Sequence, residues 1–384
     1  MGVSWCSSVR RPPAAHFGKK SRPITIHRQE NLMLRAATRI FAGLAVALIL
    51  GVVPAARAAD PIQLEFGNWL PSTHPQAVNS LEPWKKLVEE KTQGRVKVNL
   101  YHAGVLGTSR AVLNDVKGGV YHVGLMVAAY YYDTPLFKLT IGELPFALTG
   151  PVIGSRIMSE FVAKHGKDVF DQLNIKNMGI FASDAYAMYS TAPIRKIEDL
   201  KGMKLRAVGK AWVQIAKDWG AVPTPMQPEE AYTALERGTL NVMQYSPTGA
   251  MSWKYYEPAS YVTRLDSPIV IAGLIMNKAF YDKLPADLKK LFDEELNPAL
   301  ANMMISVYEK GANQAFDRMK EIFKAKGKGE VITLSAEERV KFIKPTEPEW
   351  AAWVKEANKR GYPGEAMMAD FKAILKKNGL APPF

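Results

Sequence analysis

One arginine stands out among the residues that could bind or transform a small molecule. Arg206 lies in the segment "KGMKLRAVGK" (201–210), between two apolar residues of a short β-rich run. A guanidinium group presents a planar pair of N–H donors that matches a carboxylate, and it keeps its charge when it loses water. Alternation along a strand, however, places Arg206 on one face with Lys204 and Val208, and a face with two cations is usually solvated. The residues alone leave both interpretations open, a ligand clamp and a surface charge.

Motifs that would identify an enzyme are absent from the sequence. The chain has no phosphate-binding or dinucleotide-binding glycine pattern in a strand–turn–helix context, and it has no G-x-S-x-G nucleophile motif. The histidines His74, His102, His122 and His165 do not form a metal-ligand pair. The carboxylates are scattered rather than paired. We therefore predict that the protein is not an enzyme, and we assign no metal site and no cofactor.

Aromatic side chains are frequent in loops and near the ends of the predicted strands. Small-molecule clefts are lined mainly by apolar and aromatic groups with a few polar contacts. Any one of these rings could equally fill a hydrophobic core, so both roles stay open. The residues concerned are Trp69, Tyr130, Tyr131, Tyr132, Tyr186, Tyr189, Trp212, Tyr245, Trp253, Tyr255 and Tyr256.

The N-terminal segment is typical of a secretory signal peptide. Residues 40–53 form an uncharged apolar run, which Arg35 and Arg39 precede and the small-residue segment 56–60 follows. This run is shorter than the roughly 20 apolar residues that a membrane span needs, although an uncleaved anchor remains an alternative. We therefore predict export to a bacterial periplasm and cleavage near Ala58.

Removal of residues 1–58 changes what the net charge implies. The whole chain has a formal net charge of +13, which would favour a polyanionic partner such as nucleic acid. Nine of the 50 basic residues and one of the 37 acidic residues lie in this segment, so the rest of the chain has a net charge of +5. The only cysteine, Cys6, lies there too.

Met33 would begin a signal of ordinary length, and we hypothesise that residues 1–32 reflect a mis-assigned start codon.

The elements that must position Arg206 alternate between helical and strand patterns. Amphipathic segments end at glycine and lead into β-rich runs, as "SRAVLNDVKGG" leads into "VYHVGLMV". This rhythm predicts βαβ units with parallel sheets in a two-domain protein. Helical spacing from Pro285 to Lys324, interrupted by Pro298, predicts either a long helix that ties two domains together or two ordinary packed helices. The tail, 348–380, is also helical in pattern.

Several segments stand in an order that matches one known family. They include "WLPSTHPQAVNSLEPWKKLVEEKTQGRVKV", "GELPFAL", "IEDLKGMKLRAVG", "WGAVPTPMQPEEAYTALERGTLNVMQ" and "MNKAFYDKLPADLKKLFDE". Together they resemble the solute-binding subunits of TRAP (tripartite ATP-independent periplasmic) transporters, of the dicarboxylate-binding, DctP-like type. The resemblance implies an α/β, bilobed periplasmic binding protein fold, with two sheet-and-helix lobes, hinge strands and a long helix that spans both. It suggests that lobe I comprises 59–182 and 272–310, and lobe II 183–271 and 311–384.

The resemblance also gives Arg206 a role, because the arginine at this position in the family clamps the carboxylate of the ligand. Members that bind sialic acid have a second arginine where this chain has Tyr186, and they have a glutamine–glutamate–asparagine run where it has "MQYSP". We therefore expect an aromatic or medium-sized monocarboxylate, or else a C4-dicarboxylate or keto acid. The predicted ligand-binding residues are Arg206, Tyr186, Tyr245, Trp69, His74, Tyr131, Gln244 and Trp212.

Partners follow from the same resemblance. We expect delivery of the ligand to the small and large membrane subunits of a TRAP permease, and we expect no nucleic acid partner. Two alternatives stay open, a binding protein for an ATP-driven importer or a sensor kinase, and an enzyme on a similar two-lobed fold. Neighbouring genes for two TRAP-type membrane subunits would favour a TRAP protein, and a gene for an ATPase subunit would favour the other type of binding protein. Turnover of a bound ligand would indicate an enzyme.

Overall fold

The computed structural model describes residues 60–207 and 209–384, which contain two β-sheets. The predicted signal segment 1–58 and its cleavage near Ala58 lie outside the described residues. The strands are β1 Ile62–Gly67, β2 Val96–Tyr101, β3 Val123–Val127, β4 Ile175–Ala182, β5 Ala187–Ser190, β6 Lys204–Leu205, β7 Val222–Pro223, β8 Val242–Tyr245, β9 Tyr261–Arg264, β10 Ile271–Asn277 and β11 Glu330–Thr333.

Helices alternate with these strands, as the sequence predicted. The α-helices are α1 Glu82–Lys91, α2 Val112–Gly118, α3 Pro151–His165, α4 Lys167–Gln172, α5 Gly209–Asp218, α6 Pro228–Glu236, α7 Pro247–Trp253, α8 Lys278–Lys283, α9 Ala286–Leu291, α10 Asn297–Lys326, α11 Ala336–Ile343, α12 Glu347–Lys359 and α13 Gly364–Lys377. Short 3₁₀ turns are Ala128–Tyr131, Pro135–Glu143, Ile197–Leu200 and Lys344–Thr346, and π-helical turns are Ala77–Leu81 and Phe292–Leu296. Gly119 ends α2 with a φ of 75°, a left-handed conformation that glycine adopts without steric cost.

The first sheet has the strand order β2-β1-β3-β10-β4. Strand β1 is parallel to β2 and β3, as βαβ units require, whereas β10 is antiparallel to both β3 and β4. The second sheet has the order β11-β9-β5-β8-β6-β7, and its central strand β5 is antiparallel to β8 and β9. Both sheets therefore combine parallel and antiparallel strands, whereas the sequence predicted parallel sheets. The antiparallel pairs arise because the chain leaves each lobe along one strand and returns along its neighbour.

Two strand pairs carry the chain between the sheets. Strand β4 continues through 183–186 into β5, and β9 continues through 265–270 into β10. Ser183 N donates to Val270 O at 2.9 Å, and Tyr186 N donates to the Pro268 carbonyl at the same distance. These hydrogen bonds join the crossing segments side by side, so the two connections form one hinge ribbon between the lobes.

The long helix α10 spans both lobes. Leu300, near its start, belongs to the core of the first lobe, whereas Phe316 and Met319 belong to the core of the second. This confirms the interpretation of a helix that ties two domains together. Pro298 does not divide the helical run, because the π-helical turn Phe292–Leu296 immediately precedes α10 and joins it to α9. A wider turn there gives room to a proline ring that would otherwise crowd the carbonyl four residues earlier.

The last two helices, α12 and α13, pack on the first lobe. Trp353 of α12 stacks on Phe137, with ring centroids 5.0 Å apart, and Phe371 of α13 meets Phe161 edge to face at 5.9 Å. The predicted division placed 311–384 in the second lobe, whereas α12 and α13, which belong to this range, pack on the first lobe. Their aromatic faces complete the first core, which local periodicity could not reveal.

Candidate ligand-binding site between the lobes

Arg206 lies directly after strand β6, where the second lobe meets the first. The residue is 1 % exposed, whereas Lys204, on the same predicted face, is exposed. The interpretation of Arg206 as a solvated surface charge is therefore wrong. Strand β6 ends at Leu205, so strand alternation no longer applies to the arginine, and Tyr130 of the first lobe contacts its guanidinium group.

Three oxygen atoms hold the guanidinium group of Arg206. Nε donates to the Met226 carbonyl at 3.1 Å, Nη1 to the Gln244 carbonyl at 3.3 Å, and Nη2 to the Tyr130 hydroxyl at 3.3 Å. All three acceptors are uncharged, and no carboxylate of the described residues forms an ion pair with Arg206. Each terminal nitrogen carries two N–H groups. One N–H on Nη1 and one on Nη2 therefore have no acceptor within residues 60–207 and 209–384.

A small cavity lies against Arg206. Its volume is about 20 Å³, room for about one water molecule. Gln244, which also lines it, is 3 % exposed, and its Nε2 has no hydrogen-bond partner within the described part of the chain. A buried donor without an acceptor costs about 1–3 kcal/mol, so a ligand oxygen at this point would be stabilised. The cavity is lined by Ala129, Glu143, Tyr186, Arg206, Trp212, Gln244, Pro268 and Val270.

The charges around the small cavity favour an anionic ligand. Burial lowers the pKa of Arg206, but the surrounding tyrosines, led by Tyr130, raise it to a net value above the ordinary one, so the side chain stays charged. Glu143 is 7 % exposed, and burial raises its pKa to about 8 although its carboxylate accepts a hydrogen bond from Ile271 N at 3.0 Å. Glu143 is therefore mostly protonated at neutral pH and does not neutralise the arginine.

Hydrogen bonds also join the two lobes near Arg206. Ser109 of the first lobe donates from its backbone N to Glu229 Oε1 at 3.0 Å and from Oγ to Gln227 Oε1 at 2.9 Å. Trp212 of the second lobe donates from Nε1 to the carbonyl of Glu143 at 3.3 Å. The lobes are therefore closed over the space in front of Arg206.

Four of the predicted ligand-binding residues meet at this cavity. Arg206, Tyr186, Gln244 and Trp212 all line it. Tyr245 lies behind Tyr186, with ring centroids 5.5 Å apart, and its hydroxyl accepts a hydrogen bond from Trp253. The structure thus brings together residues from β8, α5, the hinge ribbon and the segment after β6.

Tyr245 does not line the small cavity, and neither do the other three predicted residues. Trp69 donates from Nε1 to a backbone carbonyl at 3.0 Å inside the first core, and the Tyr131 hydroxyl accepts from a backbone N–H of α2 at 3.1 Å. His74 is 1 % exposed, its Nδ1 accepts from a backbone N–H at 3.1 Å, and burial lowers its pKa to about 3. The hydroxyl that reaches Arg206 belongs to Tyr130, the neighbour of Tyr131.

Sequence reasoning did not select Tyr130 or Glu143 for the site. Three consecutive tyrosines, 130–132, offered no basis for choosing one, because the 3₁₀ turn Ala128–Tyr131 decides which hydroxyl faces the second lobe. Glu143 lies in the segment "GELPFAL", which supported the family resemblance and gave Glu143 no role of its own. A single acid within an apolar segment is the signal that could have marked it, since carboxylates are rarely buried without a reason.

Residues 60–207 and 209–384 contain neither a cluster of metal ligands nor a membrane-spanning helix. Within these ranges, no group of three or more His, Cys, Asp or Glu side chains is arranged to hold a metal ion. In the same ranges, no helix has both the length and the apolar character needed to cross a membrane.

Comparisons with known proteins agree with this architecture. Residues 66–357 match the profile of the bacterial extracellular solute-binding proteins, family 7. The chain belongs to this family. A solute-binding protein from Chromohalobacter salexigens is 25% identical to it, over 74% of this chain and 84% of its own.

Solved structures resemble this solute-binding protein over most of its length. A TRAP periplasmic solute-binding protein from Desulfovibrio salexigens is 25% identical, with a TM-score of 0.69, and the match covers 84% of this chain and 98% of the other. A TRAP solute-binding protein from Rhodoferax ferrireducens, whose structure contains copurified benzoate, is 22% identical, with a TM-score of 0.75 and coverage of 83% and 98%. These matches confirm the predicted TRAP, DctP-like resemblance and the bilobed α/β fold. The family consists of transport proteins that bind solutes, not of enzymes.

Proposed function

We propose that this TRAP-type protein captures an organic acid between its lobes and holds it by its carboxylate. The observation that carries the proposal is the set of unused donors on two residues that line the small cavity. Within the described residues, Arg206 has an N–H on each terminal nitrogen without an acceptor, and the buried Nε2 of Gln244 has no hydrogen-bond partner. A carboxylate accepts hydrogen bonds from both groups and neutralises the buried charge.

The site residues have separate roles in this proposal. Arg206 forms the ionic contact, Gln244 donates to a carboxylate oxygen, and Tyr130 holds the guanidinium group in place. Tyr186 and Trp212 flank the ligand. Tyr245 supports Tyr186 from behind.

The ligand is an aromatic or medium-sized monocarboxylate, and a C4-dicarboxylate or keto acid is the second candidate. The cavity offers one cationic side chain, so it neutralises one carboxylate, and its remaining walls are aromatic or uncharged at neutral pH. The benzoate in the Rhodoferax ferrireducens protein supports an aromatic acid. Closing of the lobes around the hinge ribbon encloses the ligand.

Delivery to the small and large membrane subunits of a TRAP permease completes the function. This requires export to the periplasm, for which the predicted signal peptide and its cleavage near Ala58 would provide the route. The intact mass of the protein recovered from the periplasm tests the cleavage site. An ATPase subunit encoded beside the gene, in place of two TRAP-type membrane subunits, would favour an ATP-driven importer.

Native mass spectrometry of the freshly purified protein tests the ligand class, because such preparations often retain a bound solute. A thermal-shift screen of organic acids then compares benzoate, mandelate and succinate with neutral sugars of similar size. We expect stabilisation by the carboxylates and no response to their methyl esters. Stabilisation by sugars alone, or equal stabilisation by acids and esters, would overturn the proposal.

A further inference from the structure

The small cavity is too small for the ligand class proposed above. A volume of about 20 Å³ holds about one water molecule, whereas sites for small organic ligands enclose about 300–1,000 Å³. The carboxylate group can contact Arg206 and Gln244 there, but the rest of an aromatic acid needs additional space. The neighbouring cavities of the closed protein therefore indicate where that remainder can go.

A larger chamber of about 560 Å³ lies beside the small cavity. The two spaces share three lining residues, Ala129, Glu143 and Trp212, which form a common wall. By contrast, a groove of about 840 Å³ along helix α10 has no lining residue in common with the small cavity. The chamber is thus the adjoining space into which a ligand held by Arg206 can extend.

The wall between the two spaces is made by a contact between the lobes. Trp212, on α5 of the second lobe, donates from Nε1 to the carbonyl of Glu143 on the first lobe, at 3.3 Å. This is long for an N–H···O hydrogen bond, whose usual length is about 2.9–3.0 Å. A small opening of the lobes, or a different side-chain position of Trp212, would join the small cavity to the chamber.

The buried part of the chamber is apolar and aromatic. Leu144, Trp212 and Trp353 lie against it and are each 5 % exposed or less, and Tyr132 adds a further ring. Aromatic and aliphatic groups gain from burial against such surfaces. The chamber therefore suits an uncharged hydrocarbon body.

The ionisable groups of the chamber disfavour a second carboxylate in its interior. Glu143 and Glu349 are 7 % and 9 % exposed, whereas the lysines at the rim, Lys210, Lys355 and Lys359, are exposed to solvent. Burial raises the pKa of Glu143 to about 8 and, together with the charge of Asp218, that of Glu349 to about 7. These carboxyl groups can exchange hydrogen bonds with a hydroxyl or carbonyl group of a ligand. A ligand carboxylate beside them would be repelled by any ionised carboxyl group, and it would also lose its hydration on burial.

We propose that the chamber is a second subsite, which takes the uncharged aromatic or aliphatic body of a monocarboxylate whose acid group contacts Arg206. The inference rests on the proposed function, because it assumes the carboxylate contact. The second subsite sets a minimum length for the ligand, since the uncharged body must extend past Trp212 to reach the space between α5 and α12. It also ranks extended monocarboxylates above dicarboxylates.

Two carboxylates of different length test the second subsite. Benzoate and 4-phenylbutanoate are titrated into the protein by calorimetry, and the same titrations are made on Ala352→Trp. Ala352 is exposed on α12 and lines the chamber, so the new ring should fill the chamber without disturbing a core. Ala351→Trp is the matched control, because Ala351 is next to Ala352, is also exposed and does not line the chamber. Gln214→Trp narrows the chamber from the second lobe and provides an independent variant.

We expect the wild type to bind both acids. Ala352→Trp, on the α12 side of the chamber, should weaken 4-phenylbutanoate at least tenfold and benzoate by a clearly smaller factor, because the shorter acid extends less far past Trp212. Ala351→Trp should change neither, and Gln214→Trp should behave like Ala352→Trp. A crystal structure with 4-phenylbutanoate should show its ring in the chamber, beside Trp353. Binding of benzoate alone, no loss in either chamber variant, or equal loss of both acids would overturn the second subsite and leave the proposed function standing. Binding of neither acid by the wild type and the control would refute the carboxylate contact itself, and the subsite with it.

Discussion

Two buried cations in this protein have opposite surroundings. Lys138 is 7 % exposed, and its ammonium group pairs with Asp168 at 2.8 Å and lies 4.6 Å from the ring centroid of Tyr362. Arg206 is 1 % exposed, yet its described partners are two backbone carbonyls and a tyrosine hydroxyl. A buried charge without a counter-ion is costly.

The difference between the two sites indicates their roles. The charge of Lys138 is compensated within the first lobe, so that the ion pair can serve the fold alone. The charge of Arg206 has no compensating carboxylate among the described residues, and Arg206 lines a cavity between the lobes. In the proposed function, the carboxylate of a bound organic acid supplies the anion that the described residues do not provide.

Replacement of Arg206 should have the largest effect. We expect Arg206→Ala to fold like the wild type and to lose about 2–5 kcal/mol of binding free energy for benzoate, because the desolvated partner of the carboxylate is removed. Calorimetry measures the affinity, and circular dichroism checks the fold. Unchanged affinity would remove the distinction between Arg206 and Lys138.

Replacement of Lys138 should show the opposite pattern. We expect Lys138→Met to lower the free energy of unfolding by about 1–3 kcal/mol, less than for a fully buried pair, because the Asp168 side chain is half exposed. The affinity for benzoate should equal that of the wild type. Urea denaturation and calorimetry on both variants form a matched comparison. If Lys138→Met weakened binding as strongly as Arg206→Ala, compensation within the chain would not distinguish the two cations.

The pH dependence of stability sharpens the comparison, since Glu143 is the acid that borders the Arg206 cavity. Burial raises its pKa from 4.5 to about 8, so between these values the folded protein retains a proton that the unfolded chain releases. The free energy of unfolding should therefore fall as the pH rises through this range, by up to about 1.4 kcal/mol per pH unit. Glu143→Gln removes this contribution, and its stability relative to the wild type should increase from pH 5 to pH 8.

Urea denaturation at a series of pH values measures this difference. Subtracting the wild-type curve from the variant curve cancels the contributions of other buried groups, such as Asp184 and Glu349, whose raised pKa values act in the same direction. A flat difference would mean that Glu143 is ionised in the folded protein. Arg206 would then have an anionic neighbour of its own, and the contrast with Lys138 would be weaker.

Much of the architecture was predictable from the sequence because it depends on local patterns. Amphipathic periodicity and a glycine stop predicted α2 together with strand β3 after it, and the spacing from 285 to 324 predicted the helical run of α9 and α10. Such patterns report which side of an element is apolar. They do not report which sheet will cover that side. The predicted division therefore placed α12 and α13 in the second lobe, whereas they pack on the first.

The sequence by itself determined the family resemblance and the two-lobed class, and it selected Arg206 as the leading candidate for the ligand contact. Only the tertiary structure decided that Arg206 is buried, that Tyr130 rather than Tyr131 contacts it, and that Glu143 borders the same cavity. The physical reason is that burial and protonation depend on groups that lie far apart in the chain. Residues near 130, 143, 206 and 244 meet only because the hinge ribbon and α10 bring the two lobes together.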